Sequence, residues 1–89
     1  MTASFSRPWP NPATGGVRCR LTVPPGAPAR LGIYDLAGRL VVAWDFGSGE
    51  HLVHWDGARR DGGRAAAGTY ILRLEGSSGV LTHKVVLLH

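Results

Sequence analysis

The chain is 89 residues long, 44% hydrophobic and only 18% charged. That is enough for one small domain and too apolar to remain unfolded, so two domains and a fully disordered chain are both excluded. Ten Lys and Arg against six Asp and Glu leave a net charge of +4, but the arginines are scattered with acids among them, a mixed surface and not the clustered footprint of a nucleic-acid binder. Cys19 is the only cysteine, so no internal disulfide can form, and no apolar run approaches the roughly 18 residues of a membrane-spanning segment.

Residues 1–14 read as an extended lead-in, because Pro8, Pro10 and Pro12 each remove a backbone donor and bias the preceding residue away from helix. A single domain is expected over 15–89. The opening lacks the continuous apolar stretch of a secretory signal. The expectation is that the chain as given either stays inside the cell or is a piece of a longer exported protein.

Val17, Cys19, Leu21 and Val23 then alternate with Arg18, Arg20 and Thr22, the two-residue period of a strand with one buried face. Cys19 falls on the inward face and reads as a small buried hydrophobe rather than a reactive thiol. Pro24, Pro25 and Pro28 end that strand. A second strand is expected over 30–35, a tight turn over Asp35, Leu36, Ala37 and Gly38, and a third strand over 39–45, making a hairpin. Asp suits the first position of such a turn, and Gly the last.

After Gly47, Ser48 and Gly49, a fourth strand carries His51, Val53 and Trp55 on one side and Leu52 and His54 on the other. Asp56 and Gly57 break it, and the polar stretch 57–64 reads as a surface loop closed by Asp61 and Gly62. Ala65, Ala66 and Ala67 are too short a run for a helix. Gly68 opens a strand with Tyr70, Leu72 and Leu74 on one face. A turn follows at Gly76 to Gly79, then a last strand over 80–88. About seven strands at intervals near ten residues, with thirteen Gly and six Pro between them, predict an all-β antiparallel β-sandwich. Its dry filling is expected to be Val17, Cys19, Leu21, Ile33, Val53, Trp55, Tyr70 and Leu72, with Trp44 also in the core.

The chemistry of an active site is missing from the pattern. A poised serine is usually marked by Gly-x-Ser-x-Gly, which does not occur, and Ser48 in Gly-Ser-Gly reads as a loop residue. Of the four histidines, His51, His54, His83 and His89, the first two point to opposite faces of one strand and cannot chelate together. Asp56 and Asp61 flank a glycine-rich loop, but Arg59 and Arg60 stand where a calcium loop needs further acids. No phosphate-binding loop is present. No enzyme, catalytic residue, metal, cofactor or small-molecule substrate is therefore expected.

Seven landmarks occur in order: Pro10-Asn11-Pro12, Ile33 to Val41 with its Asp35-x-x-Gly38-Arg39 turn, Trp55-Asp56-Gly57, Asp61-Gly62-Gly63-Arg64, Ala67-Gly68-Thr69-Tyr70, Arg73-Leu74 and Lys84 to Leu87. From Trp9 to Leu88 the chain resembles the Ig-like module found in the flagellar hook-capping protein and in the C-terminal sorting domains of proteins secreted by the type IX system. The resemblance implies an Ig-like sandwich appended to an exported protein. Its job would be sorting or cell-surface attachment, with passage through the periplasm and a final place outside the cell or on its outer surface.

By the same resemblance the contacts for secretion machinery would be Asp35, Gly38 and Arg39 of the turn and Lys84, Val85 and Val86 of the last strand. Trp55, Asp56, Gly57, Gly68 and Tyr70 are structural on their own chemistry, the phenol of Tyr70 bonding to a neighbouring loop as in the tyrosine corner of sandwiches. Partners would be proteins: the export machinery, a passenger domain of the parent, or copies of the chain. The other reading is an assembly or adhesion module whose edge strands pair with identical copies or a neighbouring domain.

Overall fold

Seven strands form among the described residues, and all but the first are bounded by the turn residues that the sequence marks. They are β1 (Ser4–Phe5), β2 (Val17–Val23), β3 (Ala29–Asp35), β4 (Leu40–Phe46), β5 (Gly49–Trp55), β6 (Gly68–Gly76) and β7 (Gly79–Leu87). The molecule, a computed structural model, is described over residues 3–77 and 79–88. Met1 and Thr2 of the lead-in, Ser78 of the second hairpin turn and His89 lie outside the described residues. The strands make a three-stranded sheet in the order β1-β2-β5 and a four-stranded sheet in the order β4-β3-β6-β7, every neighbour antiparallel. This is the all-β antiparallel sandwich of about seven strands that the pattern predicts, Ig-like as the resemblance implies, with no helix among the described residues.

The period of two decides which side chains meet. On β2, Val17, Cys19, Leu21 and Val23 are buried while Arg18 and Arg20 face out, and the register pairs Cys19 with Val53 and Val17 with Trp55 on β5. The facing layer brings Leu31 and Ile33 opposite Leu74 and Leu72. All eight residues expected as filling are buried, and each fully buried Val, Leu or Ile contributes about 1.5 to 3 kcal/mol of transfer free energy against the entropy of ordering the chain. Burial pushes the Cys19 thiol up to about 11, which keeps it protonated and inert.

Trp44 departs from expectation. It is only half-buried and packs against the rim of the core, because its strand β4 is an outer strand of the sheet, flanked by β3 on one side alone.

The lead-in is stitched to both sheets. Ser4 and Phe5 pair with Thr22 and Leu21, Trp9 bridges to Arg18, and Ala13, fully buried, bridges in parallel to Leu87. The Trp9–Pro10 and Asn11–Pro12 peptide bonds are cis. A two-residue strand is too short to show any periodicity, so β1 has no signature in the sequence.

Candidate docking surface

The β3–β4 connection is held from within by one carboxylate. Asp35 Oδ1 accepts the backbone N–H of Ala37 at 3.0 Å and of Arg39 at 2.9 Å, while its Oδ2 accepts Arg39 Nε at 3.0 Å. The backbone closes around it, with Gly38 N–H donating to Asp35 C=O at 3.0 Å and Asp35 N–H to Arg39 C=O at 3.0 Å. Gly38 sits at φ +84°, a conformation that side-chain-bearing residues enter only at a cost. The backbone N–H of Arg39 is the first cause that holds the Asp35 carboxyl below its ordinary 3.8, with the Arg39 guanidinium adding to it. Among the described residues only Nε of Arg39 is engaged, so the forked end of the exposed guanidinium faces solvent on a fixed base.

The loop after β5 is drawn to the same place. Arg60 N–H donates to Val41 C=O at 2.9 Å, tying the loop to β4. Asp61 Oδ1 accepts Gly63 N–H at 2.9 Å, and its Oδ2 lies 3.5 Å from Arg59 Nε. Those contacts, the Gly63 amide foremost, hold the Asp61 carboxyl low as well. Between loop and turn lies a hollow of about 450 Å³ lined by Asp35, Arg39, Leu40, Val41, Arg59, Arg60 and Asp61.

The Trp-Asp-Gly landmark explains why that loop leaves the sheet where it does. Trp55 is 3% exposed and its Nε1 donates to Ala58 C=O at 2.9 Å; Asp56 Oδ1 accepts Ala58 N–H at 2.9 Å. Gly57 turns at φ +88°, and a Cβ there would meet Arg64 Nη2 at 3.0 Å, the same nitrogen that donates to Asp56 C=O. Gly68 opens β6, and Tyr70 crosses under the loop, its hydroxyl donating to Ala66 C=O and its ring meeting Trp55 edge-on at 5.5 Å. That is a tyrosine corner.

The last strand completes this end of the molecule. Asp35 pairs with Tyr70 and Tyr70 with Val85, so the turn and the 84–86 segment lie two strand spacings apart, roughly 10 Å. Lys84 and Val86 are exposed, whereas Val85 is fully buried and belongs to the filling. Asn11 clamps the outer edge of β7: its Oδ1 accepts Val86 N–H at 2.9 Å and its Nδ2 donates to Lys84 C=O at 3.3 Å. Ala13 N–H donates to Val86 C=O at 2.8 Å, and Leu88 N–H to Ala13 C=O at 2.7 Å.

A family model, the FlgD Ig-like domain, matches residues 10–79. The chain belongs to this family. The matched span of this FlgD Ig-like domain takes in the Asp35–Arg39 turn, the Trp55 corner and Tyr70, and ends before Lys84. Among solved structures the domain is similar to PorZ, an essential bacterial surface component of the type-IX secretion system of Porphyromonas gingivalis, with a TM-score of 0.66 and 22% identity. The likeness covers 98% of this chain and 11% of that one, and shows the shared fold. No curated protein matches the chain.

Four residues at this end, Arg59, Arg60, Asp61 and Asn11, take positions there that the sequence reading did not assign to them. Arg59, Arg60 and Asp61 join the turn only because Arg60 is bonded to β4. Asn11 acts on a strand 73 residues away. An amide between two prolines brings a side-chain donor and acceptor to a stretch short of backbone donors, but nothing local names β7 as the strand it meets. No group of three or more His, Cys, Asp or Glu comes together among the described residues. His51 Nε2 contacts Gly47 C=O and His83 Nε2 contacts Phe5 C=O, each at 2.8 Å.

Proposed function

We propose that this FlgD Ig-like domain is a non-catalytic module of an exported bacterial protein, acting as a sorting or cell-surface attachment domain. Its docking surface is the end that carries Asp35, Gly38, Arg39, Lys84 and Val86. The observation that carries the reading is the register running Asp35, Tyr70, Val85. On that register a turn with an outward guanidinium stands two strand spacings from an edge strand whose backbone is already clamped, which supports a preorganised surface in place of a pocket. The likeness in fold to part of PorZ, a component of a secretion system, supports the same reading.

The test fuses the 89 residues behind a signal peptide and a fluorescent reporter in a host with type IX secretion. The expected result is reporter at the cell surface, reduced by Arg39→Ala and by Lys84→Ser with Val86→Ser. A folded fusion retained in the periplasm refutes sorting.

A second reading, self-association, is favoured by one feature. Ahead of the Asn11 clamp, the outer edge of β7 has no partner strand among the described residues, and Val80 and Leu81 there are 49% and 42% exposed. Concentration-dependent association by light scattering, abolished by Val80→Lys on the open edge, supports it; a strict monomer at high concentration removes it.

A further inference from the structure

The unbalanced charge of the molecule is not spread evenly. Four ion pairs occur among the described residues: Arg30 with Asp45, Arg39 with Asp35, Arg59 with Asp61 and Arg73 with Glu75. Two of these lie on the outer face of the four-stranded sheet, where register sets Arg30 beside both Asp45 and Glu75. The outer face of the three-stranded sheet is different. Arg18 and Arg20 project from β2 with no acidic partner among the described residues, across from His54 and Leu52 on β5. Trp9 bridges to Arg18 from the other side and is 40% exposed, and Leu52 is 60% exposed. The one acid on this sheet among the described residues, Glu50, stands opposite Thr22, the next outward position beyond Arg20 and Leu52.

We infer that the face formed by Trp9, Arg18, Arg20, Leu52 and His54 docks an extended acidic segment of another protein. Arg18 and Arg20 are two residues apart on one side of a strand, so their stems are roughly 7 Å apart. Carboxylates at alternate positions of an extended peptide have the same repeat, and Trp9 and Leu52 supply apolar contact on either side of the charged row.

A second copy of the chain does not fit as the occupant. Four of its six acids are held by its own arginines, and Asp56 is turned onto the Ala58 amide, so it has no free acidic strip to offer. A single-stranded nucleic acid needs successive aromatic platforms for successive bases, and this face presents one exposed indole. The surface lies on the opposite sheet from the export end, so its failure leaves the sorting proposal intact.

The experiment titrates the 89-residue chain into a fluorescein-labelled peptide of alternating Asp and Ser and follows anisotropy. Binding is expected at about 10 mM salt and should weaken at about 100 mM, as the screening length shortens from about 30 to about 10 Å. Arg18→Glu with Arg20→Glu should weaken it at least about tenfold, and Trp9→Ala by a smaller factor. Arg30→Glu with Arg73→Glu, on the other sheet, should leave it unchanged. Circular dichroism checks the fold, and Arg18→Gln with Arg20→Gln serves should the charge reversal disturb it. The inference is overturned by no binding at low salt, by equal loss from the control pair, or by tighter binding of single-stranded DNA than of the peptide.

Discussion

The two ends of the sandwich are built by opposite means. At the end with the Asp35 turn, side chains reach backbone groups one by one: Asp35 takes Ala37 and Arg39, Asp56 takes Ala58, Trp55 gives to Ala58, Tyr70 gives to Ala66, and Asn11 holds both polar groups of the β7 edge. At the other end, Val23, Pro24, Ala27, Ala29, Leu74 and Val80 with their neighbours line an apolar hollow of about 190 Å³, where the side chains themselves meet only by apolar contact. The first end depends on the identity of each residue and the second on total volume. Substitutions at the first should therefore be specific and costly, and at the second tolerant.

Trp55→Ala should break the contrast most. It removes the largest apolar side chain of a thin core, together with the Tyr70 edge contact and the bond to Ala58. A loss of about 3 to 5 kcal/mol is expected in urea unfolding, enough to unfold a domain of this size. A loss below about 1 kcal/mol would mean that the corner is not what fixes this end.

Tyr70→Phe isolates the hydroxyl, because the ring and its packing remain. Ala66 is exposed, so its carbonyl can be taken up by water once the phenol is gone. The expected loss is about 0.5 to 1.5 kcal/mol with an unchanged denaturant slope.

This difference between the ends also explains what the sequence disclosed. Alternation on β2 and β6 named the filling, and Asp35, Gly38, Asp56, Gly57 and Tyr70 could be given backbone roles because each acts within four residues of itself. Where a residue acts at long range the sequence was mute. The pairing of β1, the clamp of Asn11 on β7 and the tie from Arg60 to Val41 depend on chain reversals that no local pattern encodes. The burial of Val85 within a segment otherwise exposed follows only from which face of β7 turns inward. The apolar hollow carries no motif, being what short side chains such as Ala27 and Ala29 leave unfilled.

Acid should act on the first end and spare the second. The carboxyls of Asp35 and Asp61 are both held below 3.8, so each contributes stability that is present above that value and is lost as pH falls from there through the lower folded value. The thermal midpoint should therefore decline below about pH 4, and Asp35→Asn should flatten the decline while lowering the plateau at neutral pH. An unchanged acid profile in that variant would remove the carboxylate from the account of the turn. The effect is modest, since both groups sit at the surface.

Ala27→Leu tests the other end and should have the smallest effect, with the opposite sign. Ala27 lines the hollow and is exposed on its outer side, so a longer side chain can fold inward over Val23 and Leu74 without displacing either. Apolar surface now wet becomes covered, and the gain expected is about 0.5 to 1 kcal/mol, read as a higher urea midpoint at the same slope. A lower midpoint would show that the hollow closes on itself in solution and is already packed. Both ends would then be governed by the fit of individual residues.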